Sequence, residues 1–118
     1  MKSFVDAGRG LAFLLTSQRN ARIHLGATLA VVGLGLWLGI DSHEWRWIGL
    51  AIALVWITEA FNTALEALAD AVHPEQHEGV GRAKDVAAGA VLVAAIAAVC
   101  IGLSILGPPL VAVLSGAQ

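Results

Sequence analysis

The chain has 118 residues, of which 58% are hydrophobic and only 14% charged, with a net charge of -2. A soluble domain carries roughly 25% charged residues, so the deficit points to a bilayer as the solvent. The slight negative charge excludes a nucleic-acid partner, which needs a clustered basic surface.

In chain order, Phe4 to Leu15 mixes Phe4, Leu11 and Leu15 with Asp6 and Arg9. That pattern predicts a helix over about residues 3–20 lying on the membrane surface. The mixed charges also argue against a cleavable signal peptide. Three apolar stretches follow, at about residues 23–40, 47–70 and 86–106, each near the roughly 20 helical residues that cross a hydrocarbon core. Asp41-Ser-His-Glu44 has the form of a capping box opening the second span. Pro74 falls after that span, and Gly79 and Gly81 predict a loose following loop. Gly107-Pro-Pro109 is expected to stop the third span. The lone Cys100 lies in an apolar run and reads as packing. The whole chain reads as one all-α membrane domain.

Orientation follows from charge. Lys2, Arg9, Arg19 and Arg22 precede the first span and Arg82 and Lys84 follow the second, while Arg46 stands alone in the first loop. The positive-inside rule puts the N-terminus and the second loop in the cytoplasm. Trp37, Trp45 and Trp47 then belong to the aromatic belt of the opposite face.

The second span carries the informative polar set: Glu59, Asn62, Thr63, Glu66 and Asp70. These fall within roughly a 100° arc of one helix face. An ionisable group deep in a bilayer costs at least a few kcal/mol. Interhelical hydrogen bonding in a packed bundle would account for some of the set. Three carboxylates exceed that need and repel one another unless protons or a cation intervene, and Mg2+ prefers such oxygens. The loop from His73 to Asp85 adds Arg82 and Lys84 for phosphate oxygens, with Gly79 and Gly81 allowing close backbone approach. Taken alone, this segment reads slightly better as an ordinary solvated loop with positive-inside residues, and no Walker loop is present.

Glu59-Ala-Phe-Asn62-Thr-Ala-Leu-Glu66-Ala-Leu-Ala-Asp70, followed by His77 and Gly81-Arg-Ala-Lys-Asp85, resembles the signature of the prokaryotic diacylglycerol kinase family, which includes undecaprenol kinases. Ala69 departs from it, where the family usually has a β-branched residue. The resemblance implies a homotrimer of three-span protomers with surface helices and active sites shared between neighbours, in the inner membrane of a prokaryote. It implies transfer of phosphate from ATP to a membrane lipid hydroxyl, either diacylglycerol or undecaprenol. Glu59 would be the general base and Glu66 the Mg2+ ligand, with Asn62 and Asp70 in support. His77, Gly81, Arg82, Lys84 and Asp85 would serve the nucleotide. Some relatives share the metal with a glutamate on the surface helix. The nearest positions here are Gln18 and His24, so His24 is the candidate second ligand. The competing readings are a small proton-coupled transporter using Glu59 and a non-catalytic assembly subunit.

Overall fold

The computed structural model describes residues 2–116 and contains four helices: α1 (Lys2–Ser17), α2 (Arg19–Leu38), α3 (Ser42–Val72) and α4 (Glu78–Leu114). The last three are long and apolar enough to cross a membrane. At 1.5 Å per residue α2 is about 30 Å long, which matches the hydrocarbon core, while α3 and α4 reach roughly 46 and 55 Å. The molecule is correspondingly elongated, 58 × 37 × 22 Å.

Each break has a local cause. A single extended residue, Gln18, separates α1 from α2. The Arg22 guanidinium donates back to the carbonyls of Leu15 and Thr16, both at 3.1 Å, and so satisfies acceptors that the end of α1 leaves open. α2 ends at Gly39, whose φ of 69° needs glycine and whose N–H donates to the Gly35 carbonyl. The expected capping box is present: Glu44 N–H donates to Asp41 Oδ1 at 2.8 Å, and Asp41 N–H to Glu44 Oε1 at 3.1 Å.

α3 packs chiefly along α4, with α2 set more loosely against both. Its inward stripe is Ile48, Ala51, Val55, Glu59, Asn62 and Thr63, at the three- and four-residue spacing of a helix face. α1 tucks Leu14 inward and leaves Phe4, Val5, Leu11 and Phe13 outside, as a surface helix facing lipid requires. Leu29, Leu36, Ile57, Leu92, Val93, Ile96 and Leu103 are likewise exposed. In a bilayer such side chains are solvated by acyl chains, so a thin core carries no hydrophobic penalty.

The helices are longer than the expected spans, and two expectations are corrected. Gly107-Pro-Pro109 does not end the third span, because α4 continues through Pro108 and Pro109 to Leu114. Proline removes the bonds to the Ser104 and Ile105 carbonyls. Abandoning the helix within an apolar segment would strand still more backbone groups where no water can satisfy them. The loop between the second and third spans is also shorter than expected. α4 begins at Glu78, so Gly79, Gly81, Arg82, Lys84 and Asp85 are helical, and only residues 73–77 link α3 to α4.

Candidate active site

The polar stripe of α3 runs from complete burial to the aqueous face. Glu59 is 1% exposed, and Asn62 and Thr63 are buried beside it. Glu66 is half-buried and Asp70 exposed. Glu59 and Asp70 are separated by eleven positions, about 16 Å of helix. One helix thus carries carboxylates from its buried middle to its exposed C-terminal turns.

The buried end holds four polar oxygens without a partner. Both Glu59 carboxylate oxygens, Asn62 Oδ1 and Thr63 Oγ1 have no hydrogen-bond partner. Such groups cost roughly 1–3 kcal/mol each when left unpaired in an interior. His24 from α2 is the neighbour of Glu59, with Nε2 3.6 Å from Oε2, beyond hydrogen-bond length. Farther along, Asn62 Nδ2 donates to Glu66 Oε1 at 3.3 Å. At the aqueous end Lys84 Nζ on α4 donates to Asp70 Oδ1 at 2.6 Å, closing the stripe across the helix pair.

The sequence-predicted residues therefore gather into three pairs: His24 with Glu59, Asn62 with Glu66, and Asp70 with Lys84. Arg82 is engaged within α4, where it donates to Glu78 Oε1 at 2.9 Å. Gly81 has open space where a Cβ would stand, and Asp85 is exposed on the same helix. His77 directs its Nδ1 to the backbone of α4, accepting from Gly79 N–H at 3.0 Å and Val80 N–H at 3.3 Å. His24 and Glu66, expected as co-ligands, have different partners. Among the described residues no three His, Cys, Asp or Glu side chains converge on a common metal position.

Two features escaped the sequence reading. Trp56 Nε1 donates to Thr28 Oγ1 at 3.0 Å, and Thr28 Oγ1 donates to the His24 carbonyl at 2.8 Å. This chain ties α3 to the turn of α2 that carries His24. Beside it, a cavity of about 480 Å³ opens among α2, α3 and α4. His24 is its one ionisable lining residue, with Thr28, Val55, Ala98, Gly102 and Leu106 among the others. The small residues Ala95, Ala98 and Gly102, spaced for one helix face, are the sequence signal that could have revealed this opening.

The donor set suits Mg2+. Glu66, half-buried and contacted by Asn62, offers a carboxylate, and this hard cation binds through one or two carboxylates together with substrate phosphates and water. An imidazole is a poorer match, and His24 is turned toward Glu59.

Comparison with known proteins bears on the same residues. The profile of the prokaryotic diacylglycerol kinase family matches residues 6–106. A diacylglycerol kinase of Synechocystis sp. is 42% identical over 113 residues, covering 95% of this chain and 65% of that protein. An undecaprenol kinase of Bacillus subtilis is 39% identical over 109 residues, covering 92% and 89%. A diacylglycerol kinase of Escherichia coli K12 is 41% identical over 73 residues, covering 62% and 60%. The chain thus spans slightly less than two thirds of the Synechocystis relative and most of the Bacillus one.

Proposed function

The chain belongs to the prokaryotic diacylglycerol kinase family of lipid kinases, and from that premise we propose that it transfers the γ-phosphoryl group of ATP to the hydroxyl of a membrane lipid, diacylglycerol or undecaprenol. The observation that carries this reading is the Glu59 carboxylate, buried at bilayer depth with neither oxygen bonded. An ionised carboxylate there is stabilised by a further hydrogen-bond donor. The hydroxyl of a lipid supplies one, and its hydrocarbon body is compatible with the apolar cavity beside His24.

In the proposed reaction Glu59 takes the hydroxyl proton as the lipid oxygen bonds to the γ-phosphorus. The bond from that phosphorus to the bridging oxygen breaks, and ADP leaves. His24 limits the positions open to the carboxylate, and the Trp56–Thr28 chain holds the turn that carries His24. Asn62 orients Glu66, which would hold the Mg2+ of the nucleotide. That ion, when bound, offsets negative charge on the phosphate oxygens. Lys84 exchanges Asp70 for phosphate, with Gly81, Arg82 and Asp85 on the same helix completing the nucleotide face. His24 is assigned to the base, leaving Glu66 as the metal ligand.

We place the nucleotide side in the cytoplasm of a prokaryotic inner membrane, a reading supported by the Lys and Arg asymmetry. A homotrimer with active sites shared between protomers accompanies the reading by family resemblance. A proton-coupled transporter would need polar groups through both leaflets. Here the carboxylates of the polar stripe, Glu59, Glu66 and Asp70, all lie along the half of α3 nearer Val72. The test is ADP release by the purified protein in micelles, with Mg2+ and with or without diacylglycerol or undecaprenol. Stimulation by one lipid over the other also identifies the acceptor. A folded protein stimulated by neither refutes the assignment.

A further inference from the structure

His77 is the N-cap of α4, with extended backbone. Its Nδ1 accepts from the Gly79 and Val80 N–H groups and its carbonyl accepts from Gly81 N–H at 2.8 Å. One residue therefore satisfies three of the donors that begin the helix. An imidazole in this place is unusual, since caps are mostly short hydroxyl, amide or carboxylate side chains. The fit also depends on Gly79, where a Cβ would stand 3.1 Å from His77 Cε1 and 3.3 Å from Nδ1. On its other side the ring meets His73 edge-on, with centroids 4.8 Å apart. His73 is the C-cap of α3, its N–H donating to the Ala69 carbonyl at 2.8 Å. The two rings thus join the end of one helix to the start of the next. Lys84 follows His77 by two helical turns on the same face and reaches Asp70 of α3.

We propose that His77 is a positioning residue: by capping α4 it holds the turns bearing Arg82, Lys84 and Asp85 in register for the triphosphate, and protonation of its ring releases the cap and weakens nucleotide binding. The inference rests on the kinase reading above. The cap needs a bare Nδ1, and hence the neutral Nε2–H tautomer. A proton on Nδ1 removes the acceptor and places a cation at the positive end of the helix dipole. The ionisable groups around the ring are His73 at the end of α3, Glu75 in the link, 3.3 Å from His73 Nδ1, and Glu78, which is paired with Arg82. Asp70 is engaged by Lys84.

The experiment uses the full chain in micelles with its stimulating lipid alcohol, measuring KM for MgATP and kcat from about pH 5.5 to 8. The variants are His77→Ala, His77→Asn and Gly79→Ala. Amide exchange at Gly79 and Val80 is followed in the same samples. His77→Ala is expected to raise KM for MgATP about fivefold, equivalent to the loss of a typical cap, with kcat little changed. Gly79→Ala moves KM the same way by displacing the ring. His77→Asn, a cap that does not titrate, restores both KM and slow exchange. It is also expected to remove the acid rise in KM that the proposal requires of the wild type, and comparison at each pH cancels the nucleotide's own titration. A His77→Asn variant as impaired as His77→Ala overturns the proposal, since the imidazole itself would then be what the nucleotide needs. So does wild-type protection at Gly79 and Val80, taken relative to the intrinsic exchange rate at each pH, that stays high on acidification. Absence of lipid-stimulated ADP release from the wild type defeats the kinase reading instead, while the exchange measurements still decide the cap.

Discussion

Replacing Glu59 with glutamine separates the carboxylate's effect on the fold from its part in the reaction. The substitution keeps the shape of the side chain and one carbonyl oxygen, but it removes the charge and the base. General-base catalysis contributes roughly 10²–10⁴-fold, so turnover should fall by that factor, equivalent to about 3–5.5 kcal/mol in the barrier. Nucleotide affinity should barely move, because Lys84 and Asp70 lie about 16 Å along α3 from the altered group. Stability should respond in the opposite direction. The two Glu59 oxygens, Asn62 Oδ1 and Thr63 Oγ1 are buried on the same face of α3 without a hydrogen-bond partner. The amide brings two N–H donors into that set, where pairing even one orphan recovers on the order of 1 kcal/mol. The expected signature is therefore an inactive protein that resists thermal or denaturant unfolding in detergent at least as well as the wild type. Lipid-stimulated ADP release and an unfolding titration on the same preparation read both quantities. A variant retaining more than about a tenth of wild-type turnover would remove Glu59 from the role of base. One that loses activity and stability together would mark the residue as structural.

Glu66→Gln should abolish turnover and weaken MgATP binding while leaving assembly intact, as read by isothermal titration and by light scattering in detergent; an unaltered Mg2+ dependence would move the metal elsewhere. Gly35→Ala places a Cβ 2.8 Å from Trp45 Cη2 and 3.2 Å from Ile40 Cδ1. That overpacking should destabilise the α2–α3 turn by about 1–3 kcal/mol without changing KM for MgATP, and an unfolding midpoint equal to wild type would contradict it. A reporter joined after Leu114 should read as extracytoplasmic, since three crossings separate the two ends; a cytoplasmic reading is incompatible with three spans.

The parts of this fold that the sequence announces depend on short-range rules. The polar face from Glu59 to Asp70 follows from helical periodicity, and its burial gradient tracks distance from the expected cytoplasmic end. The Asp41–Glu44 capping box is a local motif, and both of its bonds form. Where the sequence misled, a local rule met the bilayer. Pro108 and Pro109 would end a helix in water, yet α4 passes through them. Gly79 and Gly81 suggested a loop, whereas Gly79 instead gives the His77 ring room over the first turn of α4. Tertiary pairings had no short-range signal. His24 and Glu59 are distant in sequence, and only the packing of α2 on α3 sets them 3.6 Å apart. The same packing turns Thr28 toward Trp56, a bond that neither residue's neighbours suggest.

The polarity gradient along α3 also constrains which substrates can meet there. At one end, Asp70 and Lys84 are accessible from water and carry opposite charges, so an anionic phosphate chain can replace the carboxylate at the ammonium. At the other, Glu59 is sealed from water beside His24, which lines an apolar cavity, so a partner suited to that end is largely hydrocarbon with a single polar donor. Glu66 stands between them, half-buried and already oriented by Asn62. A water-soluble alcohol would satisfy the chemistry at Glu59, but nothing would concentrate it at that depth. A lipid alcohol arrives by lateral diffusion with its chain already solvated, and only the hydroxyl must be desolvated. The stripe thus joins a site suited to a charged soluble substrate to one suited to an insoluble substrate on one rigid helix. Shortening a water-soluble alcohol's access route cannot substitute for a hydrocarbon body, so short-chain alcohols should remain poor acceptors even at saturating MgATP. Efficient phosphorylation of such an alcohol would show that hydrocarbon burial contributes little to acceptor choice.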